Sequence, residues 1–376
     1  MAAYLRRAYS GFLTHVIDIP PRLLSLLLLS LLVCTPVILS PTSLSIYFLG
    51  VLMTANIMAI FASSWDLLVG RAGQISLGHA LFFGIGAYAS ALLLRFAGFP
   101  LWVTIPIGVL VGTLAAVPVG FPCMRVKGPY LALVTMALPL IATGILMYFR
   151  DWTGGEQGLP VPRFFPFIEN LYHQRMAEYY LTLFALLISA IIIYKIVNSK
   201  TGIVFLSILD DEVGAKACGI NVTKYKLLAF AISALFASLA GSLQAPLIYS
   251  ASLASFSLNL SFYAIIITIF GGIGTIYGAI AASYIIYFLD QYILTIPKWE
   301  ILGTTILPLP IEWHPLIFII VVIVFVVKWP RGIARFVVED GLKELSKERE
   351  IEERGKRIWK KYKKKKPEAT ESTTEG

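Results

Sequence analysis

Residues 227–289 read LLAFAISALFASLAGSLQAPLIYSASLASFSLNLSFYAIIITIFGGIGTIYGAIAASYIIYFL, and the 63 positions of Leu227–Leu289 hold no Asp, Glu, Lys, Arg or His. A helix needs about 20 apolar residues to cross roughly 30 Å of hydrocarbon. The stretch is therefore long enough for three spans. Its small and polar breaks, Ser250–Ser257 and Gly271–Thr275, divide it into spans near Leu227–Leu243, Asn259–Phe270 and Ile276–Leu289. No soluble domain can hide so long an apolar run inside one core.

The rest of the chain repeats the pattern. Leu23–Trp65 is free of charge for 43 residues, with Pro36 and Pro41 in the middle, which fits two spans, Leu23–Leu39 and Leu44–Ala62. Further spans are expected at Ile75–Leu94, Leu101–Val119, Leu131–Phe149 and Tyr179–Tyr194, and a short last one at Pro315–Val327 between the interface anchors Trp313 and Trp329. Across all 376 residues the chain is 57% hydrophobic and 14% charged, where soluble domains carry roughly 25% charged residues. These counts describe an all-α membrane protein, a polytopic bundle of about 10 transmembrane helices.

Basic residues orient it, because cytoplasmic loops collect Lys and Arg. Arg6, Arg7 and Arg22 precede the first span, and Arg71, Arg125 and Lys127 follow the second and fourth. Lys195, Lys200, Lys216, Lys224 and Lys226 cluster between the sixth and seventh spans. All of these share one side only if both termini are cytoplasmic. The first apolar stretch has no small-residue cleavage site and is expected to be retained as a span. Three regions follow: a cytoplasmic segment 1–22, a membrane region 23–327, and a tail 328–376 whose 15 Lys/Arg against 10 Asp/Glu leave a net charge of +5. That tail reads as a solvated helix and extension, with anionic headgroups as the alternative contact. The membrane region includes a cytoplasmic loop at 198–226 and an outer loop at 150–177.

Several chemistries lack their residues. The only Gly-Lys pair, Gly355-Lys356, is followed by Arg357, so there is no phosphate-cradling loop. The spans carry almost no acids for an ion relay. Asp66 and Asp290 fall at expected span ends, where a headgroup-level position accounts for them. Cys34, Cys123 and Cys218 have no metal-ligand spacing, and no nucleophile, base and metal set assembles a membrane enzyme. Neither a catalytic residue nor a metal site is expected.

What remains is a set of small-residue motifs and one soluble helix. Gly78, Gly84 and Gly86 in the third span, and Gly271, Gly272, Gly274 and Gly278 further on, are candidates for close helix packing in lipid. Gln74, Ser76 and His79 are costly against lipid, so they should face protein or a water-filled path. Asp210–Gly219 reads as a short helix with Asp210, Asp211 and Glu212 at its amino end, matching the helix dipole, and Gly219 at a left-handed carboxyl cap. Such a helix is either a membrane-surface element or a docking lever for a soluble partner.

The segments GQISLGHALFFGIGAYASALL (73–93), VKGPYLALVTMA (126–137), TGGEQGLP (153–160), ACGINVTKYKLLAFAISALFASLAGSL (217–243) and GGIGTIYGAIAASY (271–284) occur in that order. Together they resemble the signatures of the branched-chain amino acid ABC importer permeases, of the longer, M-type membrane subunit. The resemblance implies the ABC importer permease fold, in the inner or plasma membrane of a prokaryote. It also implies a second, homologous permease, two cytoplasmic ATP-binding subunits and an extracytoplasmic substrate-binding protein as partners. This chain would bind no cofactor and no nucleic acid, and ATP and Mg²⁺ would be used by the partner ATPases. By position, Asp210, Asp211, Glu212, Ala217 and Gly219 would form the coupling helix seated in an ATPase groove, with a spacing one residue off the Glu-Ala-Ala pattern of ABC importers. Thr153, Gly154, Gly155 and Gly158 would shape the outer loop for docking of the binding protein, and Gln74, Ser76 and His79 would line the substrate path. Urea and short-chain amide permeases carry similar motifs and are the nearest alternative. Ribose-type sugar permeases and a stand-alone facilitator are more distant.

Overall fold

The computed structural model describes residues 35–36, 43–124, 126, 128–295, 300–301, 304–305, 314–328 and 332. The 1–22 segment, the first expected span at Leu23–Leu39 (residues 35–36 apart), Arg125, Lys127, Lys298, both anchor tryptophans and the charged tail (Lys328 and Gly332 apart) lie outside these residues, as does Cys34. Twelve helices are described: α1 (Ser43–Asp66), α2 (Ala80–Ala97), α3 (Leu101–Cys123), α4 (Pro129–Tyr148), the single turn α5 (Arg150–Thr153), α6 (Leu171–Val197), α7 (Lys200–Asp210), α8 (Glu212–Ala217), α9 (Val222–Leu247), α10 (Leu258–Gly271), α11 (Ile276–Thr295) and α12 (His314–Lys328). Two minimal antiparallel pairs accompany them. β1 (Leu159–Pro160) pairs with β2 (Ser250–Ala251), and β3 (Glu300–Ile301) with β4 (Thr304–Thr305).

Among the described residues, six helical stretches are long and apolar enough to cross a membrane: Ser45–Arg71, Ala80–Ala97, Leu101–Cys123, Tyr130–Tyr148, Leu171–Val197 and Val222–Leu247. The α10–α11 pair makes a seventh candidate, bent by 115° at its break. The sequence reading of Asn259–Phe270 and Ile276–Leu289 as two complete spans is corrected accordingly. At 1.5 Å per residue, the 14 residues of α10 reach only about 21 Å, short of the hydrocarbon thickness.

Helix α9 is the centre of the bundle. It packs against α2, α3 and α1, while α1 packs in turn against α11 and α6. Small residues bring α2, α3 and α9 into backbone contact, since lipid offers no hydrophobic drive for association. A Cβ on Gly241 would stand 1.9 Å from the Phe83 carbonyl, and one on Gly86 would stand 2.2 Å from that of Ser238. On the other flank, the Asn56 amide donates to Thr182 Oγ1 at 3.1 Å and accepts from the Tyr284 hydroxyl, a buried ladder joining α1, α6 and α11.

The bundle has two ends. One carries α7, α8 and the α10–α11 turn. The other carries α5, the β1–β2 pair, the start of α6 and residue 36, whose carbonyl accepts from the Tyr172 hydroxyl.

Candidate functional site

At the α7–α8 end, α1 does not stop at a headgroup-level aspartate. It passes through Asp66 into a π-helical turn, Leu67–Arg71. Asp66 is 1% exposed, and its Oδ1 accepts the Gly274 N–H at 2.6 Å, while Arg71 Nη2 donates to the Gly274 carbonyl at 2.6 Å. Both backbone polar groups of Gly274, in the α10–α11 turn, are thus clamped by an acid and a base from the first described span and its π-helical extension. Whatever its depth, Asp66 is buried in protein, and tertiary contacts supply the partners that water or headgroups would supply at a span end. Gly274 takes φ +83°, a backbone conformation costly for residues with a side chain.

The chain then doubles back. The sequence reading places a helix from Ile75, but helix α2 begins at Ala80, and residues 72–79 run as irregular backbone beside α1. Irregular backbone in a membrane protein persists only where protein or a water-filled cavity satisfies it, and this segment has such partners. Trp65 Nε1 donates to the Ser76 carbonyl at 2.7 Å, Leu77 N–H to Thr135 Oγ1 at 3.1 Å, and Ala80 N–H to Ser261 Oγ at 2.9 Å. The last contact joins the amino-terminal turn of α2 to that of α10. Gly78 therefore lies off the helix on which the sequence placed it, pressed against α4, where a Cβ would stand 1.8 Å from the Thr135 carbonyl. Gly84 lies under the Phe256 ring, and Gly271 against the Gly278 carbonyl. Gly272 (φ +103°) and Gly274 form the turn between α10 and α11.

His79 is fully buried. Its ring stacks on Phe61 at 5.2 Å between centroids. Ser64 Oγ donates to the Phe61 carbonyl and Ser233 Oγ to the Ser64 carbonyl, so each hydroxyl has used its one proton. His79 Nε2, 2.8 Å from Ser64 Oγ and 3.3 Å from Ser233 Oγ, is therefore assigned as the donor. Gln74, Ser76 and His79 do not share a surface. Gln74 lines a cavity of about 230 Å³ with Gly73, Leu209, Glu212 and Lys226, whereas Ser76 and His79 are enclosed among helices.

The expected single helix at Asp210–Gly219 is two. Asp210 ends α7, the backbone opens to φ −152° and ψ 105° at Asp211, and α8 starts at Glu212. The break has a local cause: the Asp211 side chain caps the new helix, its Oδ1 accepting Val213 N–H at 2.9 Å. At the far end Gly219 adopts φ +80°, and Ile220 N–H returns to the Ala215 carbonyl at 3.1 Å, a Schellman-type stop. Glu212 binds Lys226 Nζ at 2.8 Å and Lys216 Nζ at 3.1 Å. The Lys226 hydrogen bond holds the Glu212 carboxyl below its ordinary range. Lys226 is only 8% exposed and sits in the first turns of α9. Helix α8 is thus pinned to the central helix, and the Leu209 side chain of α7 lies against Gly73 at the start of the irregular segment. Ala217 closes α8, and Cys218 beside it is an exposed free thiol, while Cys123 is buried.

At the opposite end, Thr153 Oγ1 donates to the Leu146 carbonyl at 2.7 Å. Gly154, Gly155 and Gly158 all take positive φ around a short 3₁₀ turn, and Gly158 abuts the Ala251 carbonyl. The 153–158 loop is thereby stitched to β2. Helix α6 begins at Leu171, earlier than its sequence-expected start, and this brings in residues that sequence reading missed. Glu178 is fully buried, accepting from Gln174 Nε2 at 2.9 Å and paired with Arg175 at 3.2 Å. The i, i+3 and i, i+4 spacing of Gln174, Arg175 and Glu178 was the available signal.

Among the described residues, six candidate spans, a bent seventh pair and a docked pair of short helices beyond them describe a multi-pass helical membrane protein. The chain belongs to the family of branched-chain amino acid transport system permease components, whose model matches residues 47–327. It is 31% identical over 210 residues to LivM, the high-affinity branched-chain amino acid transport system permease protein of Salmonella typhimurium strain LT2, covering 50% of this chain and 49% of that one. It is 29% identical over 212 residues to LivM of Escherichia coli K12, with the same coverage. The chain thus aligns with about half the length of these curated relatives. No solved structure matches it.

Proposed function

We propose that this chain is one membrane subunit of an ATP-driven importer for branched-chain and other apolar amino acids. The family match over 47–327 carries the reading. In it, the α7–α8 end faces the cytoplasm and seats in an ATP-hydrolysing subunit, whose ATP and Mg²⁺ chemistry this chain does not perform. The end with the 153–158 loop faces outward and receives a substrate-loaded binding protein. A second, homologous permease completes the path. Asp211, Glu212, Ala217 and Gly219 belong to the coupling element, with Asp210 at its hinge. The Glu212–Lys226 pair and the Leu209–Gly73 contact carry its displacement into α9 and into the irregular segment before α2. Gln74 faces the space that such a displacement alters. An apolar substrate suits a path with few fixed charges, because strong ionic capture slows release.

The test is uptake of labelled leucine, isoleucine, valine and urea by cells with and without this chain, with and without ATP depletion. Branched-chain uptake should vanish on deletion and on depletion. Loss of urea uptake alone would move the protein to the amide importers, and uptake indifferent to ATP would overturn the importer reading.

A further inference from the structure

At the loop-bearing end, the starts of α1 and α6 and the ends of α9 and α11 surround a cavity of about 320 Å³. That lies within the roughly 300–1,000 Å³ of small-molecule sites. Ile46, Val51, Leu247 and Ile248 give it apolar walls, and Arg175, Thr54 and Gln291 supply polar groups. Gly50 lies on its wall, and a Cβ there would meet nothing within 4 Å, so the space extends to the α1 backbone.

Basic side chains stand on and beside its wall. Arg163 and Arg175 both lie over the Tyr249 ring, each 5.5 Å from its centroid, and the buried Glu178 is the carboxylate paired with Arg175. Arg163 in turn donates to Gln174 Oε1 at 3.1 Å, so it is tied to Glu178 only through Gln174. Arg175 engages Glu178 through Nη1, and a guanidinium has five N–H donors in a planar fork that suits a second carboxylate. On the other side of the cavity, the Gln291 side-chain carbonyl, an acceptor with two lone pairs, accepts from the Tyr47 hydroxyl at 2.9 Å. Tyr249 is the one non-glycine residue with positive φ among the described residues, at +59°. Such conformations concentrate at functional sites. It is held by its two arginines and by its carbonyl, which accepts Val161 N–H.

We infer that this cavity is a binding site for an α-amino acid with a short branched or apolar side chain. The substrate carboxylate meets Arg175, its ammonium meets the Gln291 side, and its alkyl group lies against Val51, Leu247 and Ile248. The inference deepens the importer reading and rests on it for the outward orientation. It identifies the place where a released substrate first halts. Glu178 and Gln174 are positioning residues that hold Arg175, and they also keep the site from capturing carboxylates so tightly that release fails.

The test uses the assembled importer in nanodiscs, without the binding protein, and tritiated leucine as the probe. Wild type should bind leucine saturably. Gly50→Phe should abolish saturable binding by filling the cavity, and Arg175→Gln/Glu178→Gln should weaken it about tenfold or more while keeping neutral hydrogen bonds. Co-purification of the ATPase subunits and a monodisperse elution profile verify folding of each variant. If wild type shows no saturable binding, or folded Gly50→Phe binds normally, the site is overturned. Binding-protein-dependent uptake by the same wild-type complex is scored separately. Transport with unchanged Gly50→Phe binding removes the site and leaves the importer reading, whereas binding lost in Gly50→Phe but no ATP-driven uptake keeps the site and removes the importer.

Discussion

Single side chains in this protein act mostly by satisfying backbone that the helices leave bare. His79 bridges Ser64 and Ser233 beside the first residue of α2, and Asp66 with Arg71 saturates both polar groups of Gly274. Removing a buried group of this kind leaves a cavity and an unmatched partner, at a cost of about 2–4 kcal/mol. His79→Ala should therefore lower the thermal unfolding midpoint of the purified complex, with transport falling in step with the amount of folded protein. Gln74→Ala, on a cavity wall, should leave the midpoint in place and change the transport rate. A matched midpoint for both variants would refute the distinction. The types of these residues were legible, since a His or Gln in an apolar span must find protein or water. Their separation was not, because residues 72–79 leave the helical path that the hydrophobic pattern implied, and the partners Thr135, Ser233 and Ser261 come from distant spans.

Among the elements, α8 is the one whose function depends on how it is attached. Its Glu212 links to Lys226 at the root of α9, so displacement of α8 pulls on the central helix. Lys226→Glu should reduce ATP-coupled uptake and loosen α8, and Glu212→Lys/Lys226→Glu should recover part of the loss, which a purely local role for either charge would not give. The pH dependence has a definite sign. The folded-state carboxyl is depressed below the ordinary value of 4.5, so its contribution is complete above that value and is lost as pH falls through the folded-state range. Hydrogen exchange over residues 212–218, corrected for intrinsic rates, should accelerate on acidification in wild type and stay flat in Glu212→Gln. The acids at an amino end and the glycine at a carboxyl end marked this helix in the sequence. The division at Asp211 was hidden, because one Asp at a cap and one Asp inside a helix look alike until the side chain is seen to accept Val213 N–H.

For the whole molecule, the arrangement of ends makes orientation testable with a native reporter. Cys218 is exposed at the α7–α8 end, and Cys123 is buried. A membrane-impermeant maleimide should label inside-out vesicles and spare right-side-out ones, with the signal lost in Cys218→Ser. Labelling only from the outside would reverse the proposed orientation. At this scale the sequence by itself determined that the chain is a multi-pass membrane protein and roughly where its apolar stretches run. Those properties follow from transfer of side chains out of water, which is local and sums along the chain. Tertiary structure alone decided that α10 and α11 form a sharply bent pair, that 72–79 runs unwound, that Asp66 is buried with partners, and that Arg175 lines a cavity among four helices. These depend on hydrogen-bond and ion-pair partners tens to hundreds of residues away, and on close approaches at Gly78, Gly86 and Gly241 that no local pattern encodes.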